Sequence, residues 1–225
     1  MSTASRTLAA PVVNGVVMRA RERLETLLWN RGDGDGWSLP GGFVRPHETL
    51  DEAMARHLRE KVGVEQVGHI EQLSTASRPD SHPDLWLVDV AHIALLASDA
   101  DPQLPPDTDW HTIDALPPIA FGHRDVIENA RDRLRGKLSY SNIAFALAPG
   151  TFTLRELAGL YSAVLGHPVD PTNLGRVLER DEVLEATGER RPAGEAGGRP
   201  AAVHAFRRRE YAITRPYAAF RPPAR

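Results

Sequence analysis

Apolar residues at Leu50, Ala53, Met54, Leu58 and Val62 recur at three- and four-residue intervals, the spacing that lines up one face of an α-helix. The rest of that stretch is charged, with Glu48, Asp51, Glu52, Arg56, Arg59 and Glu60. Gly41-Gly42 interrupts regular structure ahead of it, Pro46 suits the entry loop or first turn, and Gly63 is a stop signal. The pattern predicts a turn feeding a helix over residues 41–64. Around this unit the apolar runs are shorter and β-branched. Residues 11–18 (PVVNGVVM) predict a strand with a bulge at Gly15, residues 24–29 a second strand, and residues 30–36 a hairpin loop. Residues 67–76 and 85–96 predict two more strands. The second, LWLVDVAHIALL, is nearly continuous in apolar residues, as a strand buried on both faces is. Its polar exceptions, Asp89 and His92, are expected to be core residues satisfied by backbone partners. Residues 98–118, rich in Asp and Pro, are expected to loop over the surface with Trp110 as an anchor.

The second half of the chain changes to helical periodicity. In residues 123–138, Val126, Ile127, Ala130, Leu134 and Leu138 trace one face, and Arg131, Arg133, Arg135 and Lys137 decorate the remainder. This reads as a connecting helix with a solvated basic face. Pro149-Gly150 punctuates the chain, and Thr151 or Thr153 can cap the amphipathic stretch that follows, with Leu154, Leu157, Leu160, Tyr161 and Leu165 on one side. Gly166 ends that helix. Asp170-Pro171 opens another as N-cap and first residue. It turns Leu174, Val177 and Leu178 inward and leaves Thr172, Asn173, Arg176 and Arg180 outward. Helix, short turn, helix is the layout of a helix-turn-helix. Residues 184–191 and 201–206, flanking a Gly/Pro-rich loop with Arg190, Arg191 and Arg199, predict a β-wing.

Composition sharpens this picture in two places. With no cysteine, the chain has no disulfide, thiolate nucleophile or thiolate metal site, which suits a reducing compartment, and the expected location is cytoplasmic. No apolar run approaches membrane-spanning length and no basic-then-apolar leader opens the sequence, so no membrane partner is expected. The net charge of −3 conceals an asymmetry. Residues 1–122 hold ten basic and eighteen acidic residues (−8), and residues 123–225 seventeen basic and twelve acidic (+5). A basic C-terminal half carrying a helix-turn-helix points to a polyanion, here double-stranded DNA.

Candidate chemistry sits at the first helix. Trp37-Ser38-Leu39-Pro40-Gly41-Gly42 followed by Glu48, Arg56, Leu58, Glu60, Gly63 and Val64 resembles a Nudix box, the signature of hydrolases of nucleoside diphosphates linked to another group. That resemblance implies an α/β/α sandwich and a carboxylate cluster that holds divalent cations on a pyrophosphate. Two box positions depart from it: His57 and Lys61 stand where the pattern asks for Glu. Positions 57, 60 and 61 lie within about one helical turn of each other. Mg²⁺ is a hard cation that takes oxygen ligands, and Glu60, Lys61 and neutral His57 together carry almost no net charge. An ammonium roughly 6 Å from Mg²⁺ adds about 5 kcal/mol of repulsion at an effective dielectric near 20. The reading is a catalytically decayed box with no catalytic residue and no required cofactor, in which Glu48 and Glu60 retain at most weak Mg²⁺ affinity. The competing reading is a Nudix pyrophosphatase acting on ADP-ribose or a related nucleoside diphosphate.

Both halves together, over roughly residues 10–210, resemble the Nudix-related transcriptional regulators of bacterial NAD metabolism. The run FTLRELAGLYSAVLGHPVDPTNLGRVLERDEVLEATGERR is particularly similar to that family's winged helix. The expected fold class is α+β, a Nudix-like α/β/α sandwich followed by a winged helix-turn-helix domain. The expected units are an effector-sensing domain in 1–122, a connecting helix in 123–140 and a DNA-binding domain with a C-terminal tail in 141–225. The resemblance implies a homodimeric repressor of NAD biosynthesis or salvage genes, a pseudo-palindromic operator, and a Nudix-like domain that senses an NAD-related nucleotide such as ADP-ribose. Gly41, Gly42, Arg45, Glu48, Arg56 and Glu60 are the candidate effector-binding residues. Thr172, Asn173, Arg176, Arg180, Arg190, Arg191 and Arg199 are the candidate DNA-binding residues.

Overall fold

The structure, a computed structural model, describes residues 9–32, 36–78, 85–192 and 200–215. Its centre is a parallel pair, β1 (Ala9–Ala20) and β6 (Trp86–Leu95), in unbroken register from Ala9 opposite Trp86 to Met18 opposite Leu95. All other pairings in this sheet are antiparallel. β5 (His69–Arg78) lies outside β6. β4 (Gly41–Phe43) pairs with the first half of β1, and β2 (Leu24–Asn30) with its last residues. β3 (Trp37–Ser38) and β7 (Thr108–Thr112) pair with β2.

Alternation along β1 and β6 sends side chains to two cores. Val13, Val17, Val90 and Ala94 meet Ala53, Met54, Leu58 and Val62 of α1 (Leu50–Val62). Val16, Met18, Ile93 and Leu95 meet Ile127, Ala130, Leu134 and Leu138 of α2 (His123–Tyr140) on the other face. A sheet between two helices is the expected sandwich, and the apolar face read from the spacing of α1 is the one it buries. Thr49 caps α1, and its side chain and that of Glu52 satisfy each other's backbone N–H groups. Gly63 closes the helix in the left-handed conformation, with φ +65°.

Three expectations need correcting. Gly15 forms no bulge; a Cβ there would fall 2.8 Å from the Met54 methyl carbon, so the glycine lets α1 approach the sheet. Residues 98–118 are not all loop: 108–112 form β7, paired with β2 from Trp29 opposite Thr108 to Glu25 opposite Thr112. The Asp- and Pro-rich flanks and the polar TDWHT sequence hide a strand stabilised by backbone pairing and by Trp110, which lies under the Arg19 guanidinium at 3.9 Å. Asp89 is held by side chains, not backbone, while His92 is a fully buried core residue.

The C-terminal part is a three-stranded antiparallel sheet, β8 (Phe152–Thr153), β10 (Ala201–Phe206) and β9 (Leu184–Arg191), with α3 (Leu154–Leu165) and α4 (Pro171–Arg180) packed on it. Thr153, not Thr151, caps α3, in a capping box with Glu156. Asp170 caps α4, with Pro171 in its first turn. The helices touch closely at Gly175, where a Cβ would meet Leu154 at 2.6 Å. This is a winged helix, and its core runs without a break from Phe152, Leu157 and Val164 into the α2 side of the first sheet. The basic residues of α2 are engaged within the chain. Arg135 donates to the Val164 carbonyl at 2.9 Å, and Lys137 is buried and lies 2.9 Å from Glu71 of β5.

Candidate functional site

Along α1 the box carboxylates Glu48 and Glu60 pair with arginines. Arg56 donates to both Glu48 oxygens, at 2.6 and 2.7 Å, and to the Phe43 carbonyl at 3.1 Å. The Arg45 N–H adds a third hydrogen bond to Glu48 at 2.9 Å. The Arg56 hydrogen bonds, then that backbone N–H, hold the Glu48 carboxyl down to a pKa of about 2. Glu60 lies 3.6 Å from Arg45 and 3.7 Å from Arg56. His57 is buried against the Phe43 carbonyl, and burial lowers its pKa, so it stays neutral. Among the described residues no group of three or more His, Asp and Glu side chains is arranged to hold a metal ion. At positions 57 and 61 the chain offers an imidazole and an ammonium where the box pattern has carboxylates, which leaves Glu48 and Glu60 as its carboxylate donors for a hard cation.

A feature suited to a small molecule lies beside this cluster. A cavity of about 670 Å³ is lined by β1, the β2–β3–β4 edge, the end of α1, β5, β6 and the start of α2. Gly41, Gly42 and Lys61 reach it, whereas Arg45, Glu48, Arg56 and Glu60 are not among its walls. Both glycines are required by packing. A Cβ on Gly41 would lie 2.1 Å from the Val13 carbonyl oxygen, and one on Gly42 2.8 Å from the His57 ring. Lys61 donates to the Gly41 carbonyl and sits 4.4 Å above the Trp29 ring. Burial, then Arg31 and Arg56, lowers its pKa.

The floor of the cavity comes from residues that local sequence reasoning missed as site residues. Asp89 accepts from Asn14 at 2.6 Å and from Arg78 at 3.0 Å. His123 Nδ1 accepts from the Leu39 N–H at 3.1 Å. Burial pushes its pKa down to about 4, so the ring is neutral and carries its proton on Nε2. At the rim, Phe121 is 49% exposed although it is a large apolar residue, and its backbone is left-handed, with φ +58°. That conformation is strained for a non-glycine residue. Arg31 stacks 5.2 Å from the Phe121 ring. The only sequence signals were the polar Asp89 inside an apolar run and Phe121-Gly122 before a helix.

In the winged helix, α4 buries Leu174 and Leu178 and exposes Thr172, Asn173, Arg176 and Arg180. Arg180 leans on its neighbour Asp181 at 3.4 Å. In the wing, Arg190 donates to the Pro200 carbonyl at 3.2 Å. Arg191 is drawn back onto α3, 2.6 Å from both Glu156 oxygens. Arg199 lies outside the described residues.

Comparison with known proteins gives the same two parts. Residues 9–130 match the NUDIX domain model, and residues 144–206 match the NrtR DNA-binding winged helix domain. The ADPR responsive transcriptional repressor NtrR of Acinetobacter baylyi is 32% identical over 182 residues, spanning 78% of this chain and 71% of that protein. The crystal structure of Shewanella oneidensis NrtR complexed with a 27mer DNA superposes with a TM-score of 0.72 at 30% identity, covering 87% of this chain and 93% of that one. The NUDIX domain of the same Shewanella protein complexed with ADP ribose covers 60% of this chain and 94% of its own, at 30% identity and a TM-score of 0.50. The chain belongs to the NrtR family, in which a Nudix domain is followed by a DNA-binding winged helix.

Proposed function

We propose that this protein is a transcriptional repressor of genes of NAD biosynthesis or salvage, and that its Nudix domain senses ADP-ribose rather than hydrolysing it. One observation carries the DNA-binding half. α4 is capped, anchored by Leu174 and Leu178, and turns Thr172, Asn173, Arg176 and Arg180 to solvent beside a two-stranded wing. Such a helix fits the major groove, where Arg reads guanine and Asn reads adenine, while the wing follows the phosphates. Arg176 and Asn173 are assigned to base edges. Arg190 is assigned to phosphate, and Arg191 joins it only by leaving Glu156. Two copies related by a two-fold axis would place their α4 helices about one or two turns of DNA apart, roughly 10 or 20 bp, on a pseudo-palindromic operator.

The sensing half rests on the cavity. Its exposed Phe121 offers a face to an adenine ring, its cations suit a diphosphate, and Asp89 with neutral His123 suits ribose hydroxyls. His57 and the ammonium of Lys61, at positions where the box pattern has carboxylates, support loss of metal-assisted hydrolysis. ADP-ribose controls DNA binding only so far as it favours one arrangement of the paired winged helices over another. The test is a gel shift of the full chain on DNA from upstream of its own gene and of NAD biosynthesis and salvage genes, with and without ADP-ribose. A retarded band whose intensity changes with ADP-ribose supports the reading. A protein that ignores these duplexes at low salt, and instead turns over ADP-ribose with Mg²⁺ at about 1 per second or faster, overturns it.

A further inference from the structure

We propose that Lys61, supported by Arg31 and Arg78, takes the place of the divalent cation, so that the diphosphate of a nucleotide is held in this cavity without metal. The inference rests on the reading of the cavity as a nucleotide site and specifies how its charge is met. Lys61 stands at a box position whose usual residue is a carboxylate, yet its side chain is directed along the glycine edge of β4 to the cavity wall. Two contacts fix it there, the Gly41 carbonyl and the Trp29 ring. An ammonium has three N–H donors, and the Gly41 carbonyl uses one.

Arg31 and Arg78 line the same cavity, Arg31 against Phe121 and Arg78 across Asp89. Among the described residues, three side-chain cations line this cavity together with one carboxylate, Asp89, which accepts from Asn14 and Arg78. A diphosphate brings about two negative charges and several acceptor oxygens, and charge-assisted hydrogen bonds from lysine and arginine are strong ones. A metal bridge would instead need carboxylate oxygens, and positions 57 and 61 carry His and Lys in place of the carboxylates of the box pattern. The exchange of Glu for Lys at position 61 therefore supplies binding charge as well as removing a metal ligand.

Calorimetric titration of the full chain with ADP-ribose in EDTA and in Mg²⁺ tests this. The wild type is expected to bind with the same Kd, within about twofold, in both buffers. Lys61→Met should weaken binding at least tenfold, Lys61→Arg should stay within a few-fold of wild type, and Lys61→Glu should bind poorly in EDTA and regain affinity in Mg²⁺. DNA retardation by each nucleotide-free variant reports that it is folded. EDTA-sensitive binding by the wild type, or wild-type affinity in Lys61→Met, overturns the inference and leaves the ADP-ribose reading standing. Absence of binding in both buffers overturns that reading and this inference with it.

Discussion

Lys137 of α2 and Glu71 of β5 meet at 2.9 Å, and the same ammonium donates to the Tyr211 hydroxyl at 3.0 Å, beyond the wing. His69 completes the group, with its Nε2 3.0 Å from Glu71. One lysine therefore ties the outer strand of the Nudix sheet, the helix that closes the sandwich and the segment after the winged helix. Burial alone would raise the Glu71 pKa, but hydrogen bonds from His69 and Lys137 outweigh it and lower it.

Removing the lysine leaves a mostly buried carboxylate without its main cation, a loss that commonly exceeds the net worth of the pair. Lys137→Met is expected to cost about 2 kcal/mol of unfolding free energy in a urea titration. Because the contact lies between the two parts, the response of DNA binding to ADP-ribose should weaken as well.

His123 predicts a pH dependence of stability. Its pKa falls from 6.5 to about 4 on folding because the ring is buried. Between those values the unfolded chain binds the proton and the folded chain does not, so acid favours unfolding. The contribution is whole above pH 6.5, falls as pH drops toward 4, and is then spent; its span is of order 3 kcal/mol. His123→Asn keeps an acceptor within reach of the Leu39 N–H and should flatten the pH dependence of urea unfolding in that window. An unchanged slope would place the titration elsewhere.

Glu48 acts in a lower window. Its folded pKa of about 2 lies below the ordinary 4.5, so the Arg56 contact stabilises the protein above pH 4.5 and is lost as pH falls toward 2. Glu48→Gln should remove that acid-side loss in thermal melts between pH 2 and 4.5. The variant should still bind ADP-ribose, because Glu48 is outside the cavity wall.

For DNA, Arg176→Ala should cost about 1–3 kcal/mol on the preferred operator and relax the base preference at one position in each half-site. Arg190→Ala should instead weaken all sequences alike and flatten the salt dependence by about 0.9 in log–log slope. Anisotropy titrations at several salt concentrations separate the two effects. A base preference left intact by Arg176→Ala would remove that residue from direct readout.

The elements most legible in the sequence were those with local punctuation. α1, α3 and α4 combine a helical apolar stripe with a boundary read from the sequence, Gly63 after α1, Thr151 or Thr153 before α3 and Asp170 before α4, and each stripe faces the core. β7 was not legible, because its short polar run takes meaning only from backbone pairing with β2. The cavity was legible in part, through Gly41 and Gly42. The remainder escaped because Asn14, Trp29, Asp89 and His123 are distant in sequence and are gathered by the β1–β6 ladder and by α2 closing over it. The box spacing draws the eye to the charged face of α1, but α1 packs on one side of the sheet. Asn14 and Asp89 alternate with α1-facing residues and so point to the other side.

The walls of the cavity and the outward face of α4 have no residue in common. Alleles blind to the small molecule yet still able to silence a promoter should therefore map to positions such as Lys61, Asp89 and Phe121, while operator-preference alleles map to Asn173 and Arg176. Descendants of this chain could drift toward new promoters and new metabolites along separate mutational routes.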